Sequence, residues 1–407
     1  MSGRWLSIIG IGEDGRKGLS PAACALLDAA ELVVGGRRHL DLVGDTPGEQ
    51  MAWDKPLEAT VTTILARCGM PVVVLASGDP FWFGAGVTLA RSIPIEDMQV
   101  LPAPSSFSLA ASRLGWPLQD VTTLGLNMKG LTPLIRRHVH HGRRMLALAL
   151  NGETPREVAR LLNDTGFGDS TVIVMEALGG QRERIRSVRA KDFDFADVDP
   201  LNIIGVDVVA GSSAQPIAYT GGLPDQYFEN DGQLTKREIR AVTLSSLQPG
   251  AGQLLWDVGA GSGAIGIEWL LAHSANKAIG IERDAERAAR AVRNAVALGV
   301  PHLDIRHGAA PDALSGLPQP DAIFIGCGTA DGKVIEACWN ALKPGGRIVA
   351  NAVTLQSEAA LLAAHRRLGG SLTRLSVERA EPVGTLTAWR PAMPVLQWVS
   401  AKPFGDA

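Results

Sequence analysis

Apolar residues in the first half of the chain fall into short unbroken runs separated by segments of helical period. The runs 5–9, 31–34, 71–75, 145–150, 171–176 and 202–209 have strand length and little internal polarity, so they predict strands. The intervening segments carry helix starts. Ser20-Pro21 offers an N-cap followed by Pro at the first helical position, and Thr154-Pro155 does the same with Glu157 completing a capping box. Strand–helix alternation predicts α/β layers with mostly parallel sheets. The pattern lapses over 211–222 (GSSAQPIAYTGG), which reads as a linker between domains 1–210 and 223–407.

Periodicity resumes at Thr235 and Glu238, a second capping box that predicts the start of a helix. A regular series follows: strand 253–258, helix 263–272, strand 278–282, helix 284–298, strand 303–306, strand 321–326, helix 332–342, strand 346–351 and helix 355–368. Strands near 372–378 and 394–399 close it, and the tail 401–407 is expected to be loose. The halves share no repeat, so the second domain is no copy of the first.

Composition narrows the function. Residues 1–211 hold 21 basic and 24 acidic groups and residues 212–407 hold 18 of each, so neither half has the cationic excess that tracks phosphates. Two tyrosines and nine phenylalanines are also poor material for a base-stacking platform, and no nucleic-acid partner is expected. Cys24, Cys68, Cys327 and Cys338 lack CxxC spacing and a nearby His cluster. That argues for reduced thiols, no metal site and a cytoplasmic location. The apolar stretch Trp5–Ile9 is too short for a membrane span, so no membrane partner is expected either.

The densest chemistry lies in the second half. Asp257-Val-Gly259-Ala-Gly261-Ser-Gly263 follows an apolar strand and precedes a helix, and Glu282 ends the next strand. Glycines there allow a tight turn and close backbone approach to a ligand, while a strand-end carboxylate can accept ribose hydroxyls. Gly261, Gly263 and Gly266 also satisfy GxGxxG, so a NAD oxidoreductase is a rival reading. Asp257 on the strand, His307-Gly308-Ala309-Ala310 with Asp312 after the third strand, and ALKPGGRIV at 341–349 favour a different cofactor. As a set over 235–351 they resemble the class I S-adenosylmethionine methyltransferases. After strand 321–326 stands Gly326-Cys327-Gly328-Thr329, not the Asn/Asp-Pro-Pro-aromatic motif of amino-group methyltransferases, which disfavours an RNA methyltransferase. Cys327 follows Gly rather than Pro, so it reads as a small residue beside the loop and not a nucleophile.

In the first half, Gly10-Ile11-Gly12 follows the first strand and Ser77-Gly78-Asp79-Pro80, then Gly84, follows the third. Pro104-Ser105-Ser106 opens a helix of small residues. This order resembles the tetrapyrrole methylase family (class III methyltransferases) over about 5–210. The resemblance implies two α/β lobes with S-adenosylmethionine between them, touching Gly10, Ile11, Gly12, Asp79, Phe83, Ser105 and Ser106, and also Leu150, Glu176 and Ala177. Here the first glycines run on as Glu13-Asp14-Gly15 where the family has Pro-Gly-Asp, and Asp14 is a shifted stand-in.

A tetrapyrrole methylase domain joined to a class I domain, with Gly222-Leu223-Pro224-Asp225, Phe228, Asp231–Lys236 and the run 381–398, resembles the precorrin-6B C5,15-methyltransferase (decarboxylating) family of cobalamin biosynthesis. The fold class expected is therefore α/β: a two-lobed tetrapyrrole methylase fold followed by a Rossmann-like class I fold. The resemblance implies two methyl transfers to a reduced tetrapyrrole, precorrin-6B, with loss of carbon dioxide from its carbon-12 acetate to give precorrin-8. It implies further cofactor contacts at Gln233, Leu234, Thr235, Asp257, Gly259, Gly261, Gly263, Glu282, Gly308, Ala309 and Ala310. Substrate carboxylates are expected on Lys236, Arg237 and Arg390 rather than on the basic run 136–144, which reads as a solvated face. Glu229, Asp231 and Glu381 are candidate proton donors, and a homo-oligomer is expected. The remaining rival from another class is a binding module, with a degenerate first domain that only holds cofactor or intermediate.

Overall fold

Strands buried on both faces need uninterrupted apolar sequence, and the first half supplies it. In the computed structural model, which describes residues 3–54, 57–330 and 332–404, the chain forms two compact units. The first comprises Met1–Thr132 and His138–Gln215. Its strands β1 (Leu6–Ile11), β2 (Leu32–Gly35), β3 (Glu49–Ala52), β4 (Val72–Ser77) and β5 (Met98–Leu101) make a parallel sheet in the order β3-β2-β4-β1-β5. β1 and β2 are buried at every position.

The same unit holds a second sheet of β6 (Val121–Gly125), β7 (Arg144–Leu148), β8 (Thr171–Glu176), β9 (Arg184–Arg189) and β10 (Asn202–Asp207), ordered β6-β7-β10-β8-β9. Only β6 and β7 run parallel; the remaining pairings are antiparallel, so this lobe departs from the mostly parallel expectation. β3, β5, β6 and β9 escaped the sequence reading because each sits at a sheet edge; β3, β6 and β9 carry few apolar residues, β9 reading RIRSVR, and β5 (MQVL) spans only four residues. Ser20 caps its helix as expected, accepting from Ala23 N–H at 3.2 Å. The box at Thr154 does not form. Thr154 is the first helical residue, its hydroxyl accepts from Leu150 and Asn151 N–H, and Glu157 instead accepts from Thr132.

The second unit comprises Pro216–Ala407 and the short stretch Pro133–Arg137. The boundary at 215/216 falls inside the expected linker, but that segment is not loose. Gly211 and Gln215 N–H donate to Gly166 and Thr165 carbonyls, and Ile217 is buried in the second core. Arg136 and Arg137, from the basic run read as a solvated face, are buried or half-buried here; Arg137 donates to the Leu271 carbonyl at 2.9 Å. The strands are β11 (Leu254–Val258), β12 (Lys277–Glu282), β13 (Asp304–His307), β14 (Ala322–Ile325), β15 (Arg347–Ala352), β16 (Ser371–Leu375), β17 (Glu378–Val383), β18 (Leu386–Pro391) and β19 (Val395–Ala401). They order as β13-β12-β11-β14-β15-β19-β16, parallel from β13 to β15 and antiparallel on both sides of β19. β17 and β18 form a separate exposed hairpin, missing from the sequence reading because alternation has no buried face to mark there. Ala401, expected in a loose tail, ends β19; residues 405–407 lie outside the described residues.

The helix after the linker spans Arg237–Leu247 with Lys236 at its N-cap, so the box expected at Thr235 is displaced. Tertiary contacts decide this. The Thr235 carbonyl accepts from Arg240, a fully buried arginine whose Nε meets Glu268 at 2.5 Å. Glu268 also accepts from Gly222 and Leu223 N–H, and the Arg240 guanidinium lies 4.7 Å from the Phe228 ring. Both charges are thus paired and hydrogen-bonded, as burial requires. Together they tie the 222–235 segment to the helix Ala264–Ala272.

Candidate active sites

Parallel sheets bind ligands outside the carboxyl ends of their strands, where the strand order reverses. Each unit has a cleft at such a place. In the second unit a cleft of about 660 Å³ opens where β11 gives way to β14. The loop after β11 lines it with Asp257, Gly259, Ala260, Gly261 and Ser262; β12 adds Glu282 and Arg283, and the loop after β14 adds Gly326–Thr329. Gly259, Gly261 and Gly263 all have positive φ, at 79°, 57° and 77°. A Cβ on Gly259 would strike the Cys327 sulfur, and one on Gly263 would come within 3.0 Å of Ala291 Cβ. At Gly261 the nearest atom is the Gln233 carbonyl oxygen at 3.7 Å, so that glycine keeps the cradle itself open.

Two carboxylates support the loop. Glu282 accepts from Gly261 N–H at 2.8 Å and from Asp284 N–H at 3.0 Å, leaving acceptor capacity on both oxygens. Asp257 is 1% exposed; Oδ2 accepts from Gly266 N–H at 3.0 Å while buried Oδ1 has no partner. Burial pushes the Asp257 carboxyl up to about 7, with the Gly266 hydrogen bond opposing and the Glu282 charge assisting. Desolvation first, then the Glu282 charge, also raises the Cys327 thiol, which suits a packing residue better than a nucleophile.

Gln233, Leu234, Thr235 and Lys236 line this cleft, whereas Gly308, Ala309 and Ala310 do not. Ala310 packs into the core beyond β12, and Gly308 N–H is taken by the Glu282 carbonyl. Arg237 turns to the Gly222 carbonyl at 3.0 Å, and Arg390 pairs with Glu381 on the exposed hairpin at 3.1 Å; neither lines the cleft. The cations that do, besides Lys236, are Arg283, Arg287 and Arg379. Arg283 and Arg287 follow Glu282 within five residues, a local signal that could have found them, whereas only tertiary structure brings Arg379 of β17 to the cleft. The three candidate proton donors are absent from the lining too. Glu229 is held below the usual carboxylate range by a two-pronged Arg293 contact at 2.6 and 2.9 Å. Asp231 is lowered to about 2, first by Gln233 N–H and then by Arg287 and Arg290, so at neutral pH it holds no proton to give.

In the first unit a cleft of about 340 Å³ runs between the carboxyl ends of β1 and β4 and the face of the second sheet. Ile11, Gly12, Phe83, Ser105, Ser106 and Ala177 line it, with Trp53, Trp82, Phe107 and Met175 as apolar wall. Ser105 caps the helix Ser106–Leu114 by accepting from Ser108 N–H at 3.1 Å. Gly10, Asp79, Leu150 and Glu176 are not on the wall. A Cβ on Gly10 would meet the Gly78 carbonyl and Ala103 N–H, so that glycine serves close strand packing. Asp79 closes its own turn through Phe81 N–H at 2.8 Å, Asp14 packs against Gly12 and Gly18, and Glu176 is a buried partner of Arg184 and Arg186. Arg38 and His39 line the cleft with no warning from the sequence.

Both units are therefore α/β domains with a glycine-bordered cleft for a nucleotide-like cofactor. Residues 6–194 match the family described as Tetrapyrrole (Corrin/Porphyrin) Methylases, and residues 226–402 match that described as Precorrin methyltransferase domain. The protein is a two-domain methyltransferase. A Sinorhizobium protein named precorrin-6Y C(5,15)-methyltransferase [decarboxylating] is 54% identical over 97% of this chain and 95% of its own length. The chain belongs to that family. Two shorter relatives are also similar. A Salmonella typhimurium cobalt-precorrin-7 C(5)-methyltransferase is 30% identical over 44% of this chain and 88% of its own. A Saccharolobus solfataricus probable cobalt-precorrin-6B C(15)-methyltransferase (decarboxylating) is 36% identical over 36% and 77%.

Proposed function

We propose that this chain uses two S-adenosylmethionine to methylate precorrin-6B at carbons 5 and 15 and removes carbon dioxide from its carbon-12 acetate, giving precorrin-8. The observation that carries this reading is the presence of two glycine-bordered clefts, one in each unit, in a chain 54% identical to a relative named for both methylations. Relatives named for the C(5) and the C(15) reaction occur as separate, shorter chains, so the two methylations are separable; the resemblance of each domain type assigns carbon 5 to the first unit and carbon 15 with decarboxylation to the second.

The residues present fit the cofactor. When bound, it supplies an electrophilic sulfonium methyl in each cleft. In the second cleft the Gly259–Gly263 turn leaves room beside backbone, Glu282 keeps acceptor capacity for hydroxyls, and the orphaned Asp257 Oδ1 can accept a donor or face a cation. The substrate carbon is already nucleophilic, so alignment matters more than acid or base, and positioning alone can supply roughly 7–11 kcal/mol. Lys236 and Arg283 can hold peripheral carboxylates, with Arg287 and Arg379 contributing donors that their partners Asp231 and Glu238 leave unused. A carboxylate seated away from them, against the apolar side chains of Phe324, Met393 and Val395, is raised in energy; as carbon dioxide leaves, the electron pair of the broken bond passes into the conjugated ring, and a proton from solvent then replaces the lost group.

Anaerobic incubation with precorrin-6B and isotopically labelled cofactor, followed by mass spectrometry, tests the reading. Two labelled methyls and loss of one carbon dioxide are expected. A singly methylated end product, or one that retains the acetate, overturns it.

A further inference from the structure

We propose that Arg38 is the carboxylate anchor of the first-domain cleft, holding a peripheral acid group of the tetrapyrrole while the ring lies on the apolar wall; this rests on the function proposed above. Three neighbouring strands, in the order β2-β4-β1, end around it. Beyond β2, Gly36 caps the helix carrying Arg38 and His39; β4 ends in Ser77; the turn after β1 carries Glu13. Arg38 pairs with Glu13 and donates from Nη2 to Ser77 Oγ at 2.9 Å and towards His39 Nε2 at 3.0 Å. His39 Nε2 also lies 2.8 Å from Ser77 Oγ. Arg182 approaches the same Glu13 at 3.9 Å but is held by Asp199 and is absent from the cleft wall.

These contacts fix the guanidinium plane without enclosing it, and 37% of the side chain stays exposed. Burial and the neighbouring Arg38 charge hold His39 near 4, so it stays neutral and competes for no anion. Among the described lining residues Arg38 is then the cation of a wall that also carries the apolar Trp53, Trp82 and Phe107 and the polar Glu13, Ser105 and Asn127. An amphipathic ring with carboxylates on its rim matches that distribution. One guanidinium can serve two carboxylates at once: Arg184 in this same unit bonds Glu176 at 2.8 Å and Asp197 at 2.9 Å. Glu13 therefore orients Arg38 without using it up.

The test uses the full chain with R38M, which keeps the stem and removes the charge, and R38K, which keeps the charge and removes the fork. Anaerobic kinetics of carbon-5 methylation are followed at low and high salt, with S-adenosylhomocysteine titrated by calorimetry. R38M is expected to raise KM for the tetrapyrrole about tenfold or more, as loss of a charge-assisted bond implies. Its kcat, carbon-15 methylation and both calorimetric sites should stay as in the parent, R38K should recover part of the loss, and the salt dependence of KM should shrink. An unchanged KM in R38M overturns the proposal. So does a KM rise that is salt-independent and unrelieved by lysine, or one that comes with loss of the first calorimetric site. If the unaltered enzyme adds no methyl to precorrin-6B, the underlying function falls, and this inference with it.

Discussion

Asp257 is the residue on which the second cleft's electrostatics turn. An isolated aspartate titrates near 3.9, whereas burial pushes this one up to about 7. The sign follows. Below about pH 4 folded and unfolded chains both hold the proton and the contribution is complete. As pH climbs towards 7 the unfolded chain ionises first and stability is lost; above 7 the whole cost is borne, on the order of 4 kcal/mol. Asn at this site keeps an acceptor for Gly266 N–H and cannot ionise. D257N is therefore expected to flatten the pH dependence of the second domain's unfolding and to be more stable than the parent above pH 7, as urea denaturation between pH 4 and 8 would record. Equal slopes for the two proteins would contradict it. The sequence drew attention to Asp257 by its place before the glycines, but not to its orphaned Oδ1, which arises only when β11, β12 and the helix Ala264–Ala272 close over it.

At the level of elements, the turn between β11 and that helix separates two kinds of glycine. Both Gly261 and Gly263 hold positive φ, which costs another residue about 1–2 kcal/mol. Gly263 has Ala291 Cβ within 3.0 Å of a new methyl, whereas Gly261 faces the open cradle. G261A is accordingly expected to lose about 1–2 kcal/mol of stability yet lower cofactor affinity at the second site about tenfold or more, the cost of an unmade charged contact. G263A should be the less stable of the two while binding nearer to normally. Thermal unfolding with calorimetry on both variants would expose the reverse order if it held. The motif was plain in the sequence because every residue of the turn is local. The displaced start of the helix Arg237–Leu247 was not, since the buried Arg240–Glu268 pair joins residues from different elements.

For the whole molecule, the presence of one cleft in each unit predicts how binding should count. Titration of S-adenosylhomocysteine is expected to give two sites per chain, with G261A weakening one and G12V, which adds bulk to the first cleft wall, weakening the other. A single site, or loss of both with either change, would mean the units do not act as two methyltransferases. Near balance of charge in both halves fits a small acidic substrate held by a few placed cations rather than a broad electropositive field.

The central strands, the glycine turn and the two-domain plan were all legible along the chain, because each is marked by residues within one strand–turn–helix unit or by the lapse of that pattern. Edge strands such as β9 and the β17–β18 hairpin were not, since their pairing is made by backbone groups that leave no apolar signature. Side chains at the sites divided the same way. Gly259, Gly261 and Glu282 were named by local pattern, and Arg283 and Arg287 lie just behind Glu282, whereas Arg379 reaches the second cleft only because a distant hairpin folds against it. Glu229, Asp231 and Arg390 showed the converse: sequence offered them as free acids and cation, and folding gave each an opposite charge as partner. Chemistry carried by backbone conformation is written locally; chemistry carried by long charged side chains depends on which partner lies nearest in space.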